Sequence, residues 1–162
     1  MGKYYKYEQQ KLAELYLAAA LHDLGKLAIP SEILEKPGKL SDEEFKIIKE
    51  HVQITWELLS DIEGLENICE WASNHHEKLD GSGYPFGKKA AELDFNSRLL
   101  ACLDLYQAIS EERPYHPGRG HGDTMQLLYE MAGNGKIDGD ITKDIDIALA
   151  PYDGKDLPLP ND

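Results

Sequence analysis

Apolar residues recur at helical spacing along most of the chain, and no alternation of apolar and polar positions lasts for a full strand. From Tyr7 to Leu24 the apolar side chains fall three or four residues apart without glycine or proline, which predicts a helix that ends at Gly25. A short turn or helix is expected to open at Pro30 and to continue through Leu34. The first part of the chain is therefore predicted to be helical.

Polar residues mark the starts of the helices that follow. Ser41 and Glu44 have the spacing of a capping box, so a helix is expected to start there and to run through His51 as far as Leu59. The same criteria predict helices over residues 65–73 and 97–110, a helix capped by Asp123 or Thr124 that ends at Met131, and a last helix over about 142–150. The predicted fold class is all-α, a bundle of helices.

Length and composition favour one domain. A chain of 162 residues with 41% apolar residues is long enough to bury a single core, which we place in residues 1–150. Residues 151–162 are acidic and contain proline and glycine, so we expect a disordered tail or a linker there. Cys69 and Cys102 lie in apolar helical patterns and are expected to be small core residues, not a disulfide framework.

The sequence has no apolar run that approaches the roughly 20 residues of a membrane span. Its first residues also lack the apolar segment of a secretory signal. We therefore expect a cytoplasmic protein or a module of a larger one.

The chain is strongly acidic, with a formal net charge of -13 from 30 acidic and 17 basic residues. Because it offers no basic stripe, binding to long nucleic acid is not expected. A small anionic substrate would need bound divalent cations, which can reverse the local field of an acidic site. Any phosphate-binding function of this chain therefore requires a metal.

The adjacent pair His75-His76 is the most informative feature. Two neighbouring imidazoles repel each other once protonated and cost desolvation when buried, whereas a cation makes both useful as neutral ligands. Taken alone, such a pair is more often an exposed polar loop. Further candidates lie on successive predicted helices or helix ends, where a bundle can aim them at one interior point: His22, Asp23, His51 and Asp104. Each of these also has an ordinary structural explanation when taken alone.

Taken together, the motifs resemble the HD-GYP family, a branch of the HD phosphohydrolase superfamily. The resemblance covers residues 12–149 and rests on His22-Asp23-Leu24-Gly25-Lys26, Ile29-Pro30, Lys36-Pro37-Gly38, His51, His75-His76-Glu77, Asp80-Gly81-Ser82-Gly83-Tyr84-Pro85 and Arg113-Pro114-Tyr115. It implies an HD-domain helical bundle with a two- or three-metal centre in its core, often iron or manganese, that hydrolyses cyclic di-GMP. Such domains are commonly modules of bacterial signalling proteins.

The resemblance also implies a division of the ligands between two divalent transition-metal ions. Asp23 would bridge the ions, His22 and Asp104 would complete the first site, and the second would be held by His51, His75 and His76. A carboxylate with two oxygens can span two cations, and imidazoles suit transition metals better than magnesium. The ions would activate a water for attack on phosphorus in line with the 3′ oxygen.

Four residues are expected to contact the substrate. Lys26 would face a phosphate oxygen where charge develops, although a lysine at a helix end is otherwise often a surface residue. Arg113 matches a family position that contacts the nucleotide, and its guanidinium can bind phosphate through two hydrogen bonds. Tyr84 can stack or close the mouth of the site. Gln107 stands where the family typically has a second aspartate, and its amide could partly replace that group.

The Gly83-Tyr84-Pro85 turn is implied, through the resemblance, to dock a diguanylate cyclase domain. Glu77 and Asp80 are expected to support the site without binding the metals directly. His116 stands where the family often has a basic residue. Together with Gln107, it departs from the family's pattern for recognising guanine through a carboxylate.

The family usually carries a further histidine ligand on a helix that precedes the His-Asp pair. Only 21 residues precede His22, and none of them is histidine. We therefore expect the first site to be weak or empty and the second to be fuller. A missing helix should also expose an apolar groove, which would favour a homodimer.

Three functions fit these observations. The first is a metal-dependent phosphodiesterase that converts cyclic di-GMP to pGpG or GMP. The second is an HD phosphohydrolase that acts on another cyclic dinucleotide or on a phosphomonoester. The third is a catalytically weak receptor or docking module, whose metals are structural.

Overall fold

A computed structural model describes residues 1–111 and 118–152. Within these residues the chain forms seven α-helices: α1 (Gln9–Leu21), α2 (Ser31–Leu34), α3 (Asp42–Leu59), α4 (Glu66–Ser73), α5 (Phe95–Ser110), α6 (His121–Gly133) and α7 (Gly139–Leu149). Short 3-10 turns cover Leu24–Ala28, Ala90–Glu92 and Ala150–Tyr152. The described residues contain no strand, only an isolated bridge between Asp80 and Lys89. The all-α prediction is confirmed.

The predicted capping box at the start of α3 is confirmed by both of its hydrogen bonds. The backbone N–H of Glu44 donates to Ser41 Oγ at 3.2 Å, and the N–H of Ser41 donates to Glu44 Oε2 at 2.7 Å. The helix continues through His51 to Leu59. The first predicted helix, in contrast, is shorter than expected, because the chain tightens into a 3-10 turn after Asp23.

The predicted start of α6 at Asp123 or Thr124 is wrong. The helix begins at His121, with Gly120 at the N-cap, and Thr124 is a buried residue inside it. The hydroxyl of Thr124 donates to the carbonyl of Arg119 and so does not cap the helix. The last helix also starts earlier than expected, at Gly139, because the carboxylate of Asp138 accepts from the backbone N–H groups of its first turn.

The main core lies between α1, α4, α5, α6 and α7. Its buried members come from all five helices and include Leu15, Ala18, Ile68, Trp71, Leu99, Leu128, Ile141 and Ile145. A smaller cluster joins α3 to α4 through Leu59, Cys69 and Ala72. Both cysteines are buried and free, as predicted. No helix among the described residues is long and apolar enough to cross a membrane.

The residues before α1 pack on this core. Met1, Tyr5 and Tyr7 contact it, and the Tyr5 hydroxyl donates to Asp144 on α7 at 2.7 Å. On α1 itself, Tyr16 and Leu17 are 48% and 47% exposed. These two side chains supply apolar surface of the kind expected for self-association, and the homodimer stays a prediction.

Candidate metal centre

The structure brings together the six side chains that were predicted as metal ligands. They come from the end of α1 and the turn after it, from α3, from the loop after α4, and from α5: His22, Asp23, His51, His75, His76 and Asp104. Asp104 therefore has the partner that a carboxylate in an apolar helix requires, because its Oδ1 lies 3.6 Å from His22 Nε2.

Backbone geometry orients three of the imidazoles. Nδ1 of His22 lies 2.6 Å from the carbonyl of Ala19, and His51 and His75 make the same contact with the carbonyl three residues earlier, at 2.5 and 2.6 Å. Because a carbonyl can only accept, each Nδ1 must carry the proton. In the neutral form of each ring, the lone pair of Nε2 is then available to a metal.

Buried polar atoms without partners mark the interior of the cluster. Asp23 Oδ1, His51 Nε2 and His75 Nε2 are three of the four such side-chain atoms among the described residues. A buried acceptor that makes no hydrogen bond costs free energy of about 1–3 kcal/mol. A cation would satisfy all three atoms at once, so the residues present fit a metal centre.

The two oxygens of Asp23 face different imidazoles. Oδ2 lies 3.3 Å from His22 Nε2, and Oδ1 lies 3.2 Å from His51 Nε2. A carboxylate placed in this way can serve two cations, one through each oxygen.

Two groups of three residues have ligand atoms within 4.8 Å of one another. One group is His51, His75 and His76, and the other is His22, Asp23 and His75. His75 belongs to both, whereas the family resemblance implied a role in the second site alone. The ring of His75 lies 4.8 Å from that of His22 and 4.0 Å from that of His76, measured between centroids. Its position between the groups makes His75 a candidate ligand for either ion.

The protonation states of His75 and His76 also suit metal binding. Burial lowers the pKa of His75 to about 4 and, together with the neighbouring His75, lowers the pKa of His76 to about 3, so both rings are neutral ligands at pH 7. Burial also disfavours charge on His22, but the carboxylates of Asp104 and Asp23 beside its Nε2 outweigh this and raise its pKa to about 10. A metal that binds His22 Nε2 must therefore displace a proton. The contacts of His22 and Lys26 with Asp23 Oδ2 likewise outweigh burial and hold the pKa of that carboxyl well below its usual range.

Lys26 contacts the metal centre through the carboxylate of Asp23. Its Nζ donates to Asp23 Oδ2 at 2.6 Å, and its side chain is 41% exposed. Lys26 therefore orients Asp23 while part of its ammonium still faces solvent. The predicted phosphate contact stays a prediction.

Glu77 lies beside the metal centre but is used to hold the following loop. It is 2% exposed, and its carboxylate accepts from the backbone N–H groups of Phe86, Gly87 and Lys88 at 2.7, 3.1 and 3.0 Å. Asp80 accepts from the backbone N–H and the hydroxyl of Ser82 at 2.9 and 2.6 Å. Neither acid belongs to the two groups of potential ligands among the described residues.

The remaining candidates are spread around the site. The Tyr84 ring lies 4.8 Å from that of His76 with the planes inclined by 34°. Gln107 is exposed on α5, one turn after Asp104. Arg113 and His116 lie outside the described residues.

One residue near the site was missed by sequence reasoning. Lys49 places its ammonium 5.0 Å from the centroid of the Tyr84 ring. Only its position two residues before His51 could have drawn attention to it.

A comparison with protein families finds a match to the HD domain over residues 1–141. Three similar relatives are phosphodiesterases by name. The 3′3′-cGAMP-specific phosphodiesterase 1 of Vibrio cholerae is 41% identical over 134 residues, which are 83% of this chain and 31% of the relative. A cyclic di-GMP phosphodiesterase of Thermotoga maritima is 43% identical over 124 residues, 75% of this chain and 34% of the relative.

A cyclic di-GMP phosphodiesterase of Pseudomonas aeruginosa is 38% identical over 122 residues, again 75% of this chain, and 30% of that protein. The chain thus spans about a third of the length of the curated relatives it matches.

Proposed function

The chain belongs to the HD domain family and carries the motifs of its HD-GYP branch, and from that premise we propose that it is a metal-dependent phosphodiesterase. The proposed substrate is cyclic di-GMP, and the proposed role is bacterial second-messenger signalling. Relatives named as cyclic di-GMP phosphodiesterases support this choice of substrate.

The observation that carries the proposal is the set of buried atoms without partners in the cluster. Asp23 Oδ1, His51 Nε2 and His75 Nε2 are desolvated acceptors of residues that belong to the two overlapping groups of potential ligands. Residues with a purely structural role would pair such atoms with donors. A metal-dependent hydrolase keeps them available as ligands.

We infer two divalent transition-metal ions, because imidazoles suit transition metals better than magnesium. The resemblance to the HD-GYP family favours iron or manganese. The proposed ligands are His22, Asp23 and Asp104 for the first ion and Asp23, His51, His75 and His76 for the second. When bound, the ions would polarise the phosphate and acidify a water molecule. The weaker occupancy proposed for the first site follows from its smaller number of imidazoles.

The chain's own groups would orient the substrate. Lys26 keeps Asp23 in place through one N–H and would donate another to a non-bridging phosphate oxygen. Tyr84 would form one wall of the mouth beside His76. Arg113 is proposed to bind the nucleotide.

The proposed hydrolysis joins a water oxygen to phosphorus and breaks the bond from phosphorus to the 3′ oxygen, which takes up a proton. One such step opens the ring and gives linear pGpG. A second step would give GMP.

Turnover of cyclic di-GMP by the purified chain tests the proposal. The wild type loaded with Mn²⁺ or Fe²⁺ should release pGpG or GMP, Asp23→Ala should abolish the reaction, and Asp61→Ala should not. Asp61 is an exposed acid in the loop after α3, so this control removes the same charge from the surface. Equal activity of Asp23→Ala and the wild type would rule out the proposed centre.

A second candidate substrate is 3′3′-cGAMP, and two observations favour it. One relative is named as specific for that nucleotide. Gln107 presents an amide with both a donor and an acceptor, which can pair with an adenine edge as a carboxylate cannot. A panel of cyclic dinucleotides and phosphomonoesters, assayed at equal concentrations, separates these substrates.

The proposed alternative to an enzyme is a receptor or docking module. Saturable nucleotide binding without turnover would support it. Capture of a diguanylate cyclase domain by the wild type but not by a Tyr84→Ala variant would support docking through Gly83-Tyr84-Pro85.

A further inference from the structure

Lys49 is a cation held by aromatic rings at the edge of the metal centre. Its ammonium lies 4.7 Å from the centroid of Phe45, one turn earlier on α3, and 5.0 Å from the centroid of Tyr84. Within residues 1–111 and 118–152, no carboxylate lies within ion-pair distance of it. Lys49 therefore differs from Lys26, whose ammonium is bound to Asp23.

Tyr84 connects Lys49 to the metal ligands. Its ring lies 4.8 Å from that of His76, and it is half-buried. Burial raises the pKa of the Tyr84 hydroxyl, and the nearby charges of Asp104 and Asp23 raise it further. The Tyr84 ring therefore lies between Lys49 and one of the metal ligands, His76.

An ammonium over an aromatic ring is attracted by the negative face of the ring, and the attraction grows when the pair is shielded from water. Lys49 and Tyr84 are both partly buried, so the contact is shielded on part of its surface. Tyr84 itself follows two glycines in a loop that Glu77 anchors only from Phe86 onwards. The Tyr84 backbone is held to His76, whose carbonyl accepts from the Tyr84 N–H at 3.3 Å. The aromatic contacts described for the Tyr84 ring itself are those with His76 and Lys49.

We propose that Lys49 is a positioning residue, whose ammonium holds the Tyr84 ring against His76 and so sets the shape of the mouth that receives the cyclic dinucleotide. This inference rests on the proposed function for its substrate. Loss of the ammonium should loosen the Tyr84 wall while leaving the metal ligands in place. The effect should therefore fall on substrate binding more than on the chemical step.

Replacement of Lys49 by methionine and by arginine tests the proposal. Lys49→Met keeps most of the side-chain stem but removes the charge, whereas the guanidinium of Lys49→Arg can still stack on Tyr84. We expect a roughly 3- to 30-fold rise in KM for Lys49→Met with kcat and metal content unchanged, and recovery in Lys49→Arg. Lys46→Met is the matched control, because Lys46 is an exposed lysine on the same helix without a described ring contact.

A readout without turnover keeps this test separate from the proposed function. NMR of tyrosine-labelled protein, with the Tyr84 signal assigned through Tyr84→Phe, should show a displaced ring signal in Lys49→Met and not in Lys49→Arg or Lys46→Met. A wild type that turns over no cyclic dinucleotide would remove the proposed function, and the ring signal would still report the positioning. An unchanged ring signal and KM in Lys49→Met would overturn the inference. Equal changes of KM and of the ring signal in Lys49→Met and Lys46→Met would also overturn the inference. Such a result would mean that the changes come from the loss of a positive charge on α3 and not from the contact with Tyr84.

Discussion

Gly25 lies directly against the backbone of His51, so closely that a β-carbon at position 25 would overlap the His51 carbonyl. The N–H of Gly25 donates to Thr55 Oγ1 at 2.9 Å, which ties the turn after α1 to the same helix. The absence of a side chain at this position lets Asp23 approach within 3.2 Å of His51 Nε2. The metal centre therefore depends on a backbone contact as well as on its ligands.

We predict that Gly25→Ala separates the turn from α3 and reduces metal binding. The steric overlap should lower the free energy of unfolding by about 1–3 kcal/mol, measured by urea denaturation. Elemental analysis should show less bound metal than in the wild type. Gly122→Ala is the control, since a β-carbon there meets open space on α6 and should raise stability by up to about 1 kcal/mol. Wild-type stability and metal content in Gly25→Ala would refute this role for Gly25.

Local rules were sufficient for the parts of the fold that are set by neighbouring residues. The capping box of Ser41 and Glu44 is such a case, because both of its hydrogen bonds lie within four residues. The start of α6 was not predictable in this way. Several polar residues in succession offered a cap, and the burial of His121 and Thr124 against the rest of the bundle favours the earliest start.

The geometry of the metal centre could not be predicted from neighbouring residues either. Its six candidate side chains could be identified from their residue types and their places on successive helices. Their distances could not, because they depend on how α1, α3 and α5 pack. The position of His75 between two groups of ligands is a consequence of that packing. The contact of Lys49 with Tyr84 likewise joins a helix to a distant loop.

We predict that His75 contributes more to metal binding than His76. His75 lies within ligand distance of both groups, whereas His76 belongs to one. His75→Ala should therefore lower the total metal content more than His76→Ala, measured by elemental analysis after equal loading with Mn²⁺. His121→Gln should keep the wild-type content, because His121 lies outside both groups. Equal losses in His75→Ala and His76→Ala would show that His75 serves one ion only.

We predict that Glu77→Gln disrupts the loop that carries Tyr84. The carboxylate accepts three backbone hydrogen bonds, and an amide can replace only one of its two oxygens as an acceptor. The free energy of unfolding should fall by about 1–3 kcal/mol, and KM should rise because the mouth is less ordered. Glu92→Gln is the matched control: it removes an exposed carboxylate that accepts from Lys89 N–H and should change stability by less than about 0.5 kcal/mol. A Glu77→Gln variant as stable as the control would contradict this account.

A final prediction concerns the acid stability of the α6–α7 contact, away from the metal centre. The hydroxyl of Tyr129 donates to Asp146 Oδ2 at 2.8 Å, and His121 Nε2 lies 2.9 Å from Oδ1. These two bonds lower the pKa of Asp146 from its ordinary value of 3.8. Because the folded-state pKa is depressed, the stabilisation is present above pH 3.8 and is lost as the pH falls through the folded-state value.

Thermal unfolding of the wild type and of Asp146→Asn between pH 7 and pH 2 measures this contribution. The wild type should have the higher Tm at pH 7, and the difference should be constant down to about pH 5 and then shrink as the carboxylate is protonated. For Asp140→Asn, the difference in Tm from the wild type should not shrink at low pH. Asp140 is exposed, and among the described contacts its side chain pairs only with Lys143. A gap between the wild type and Asp146→Asn that stays constant to pH 2 would mean that the hydrogen bonds to Asp146 do not stabilise its ionised form.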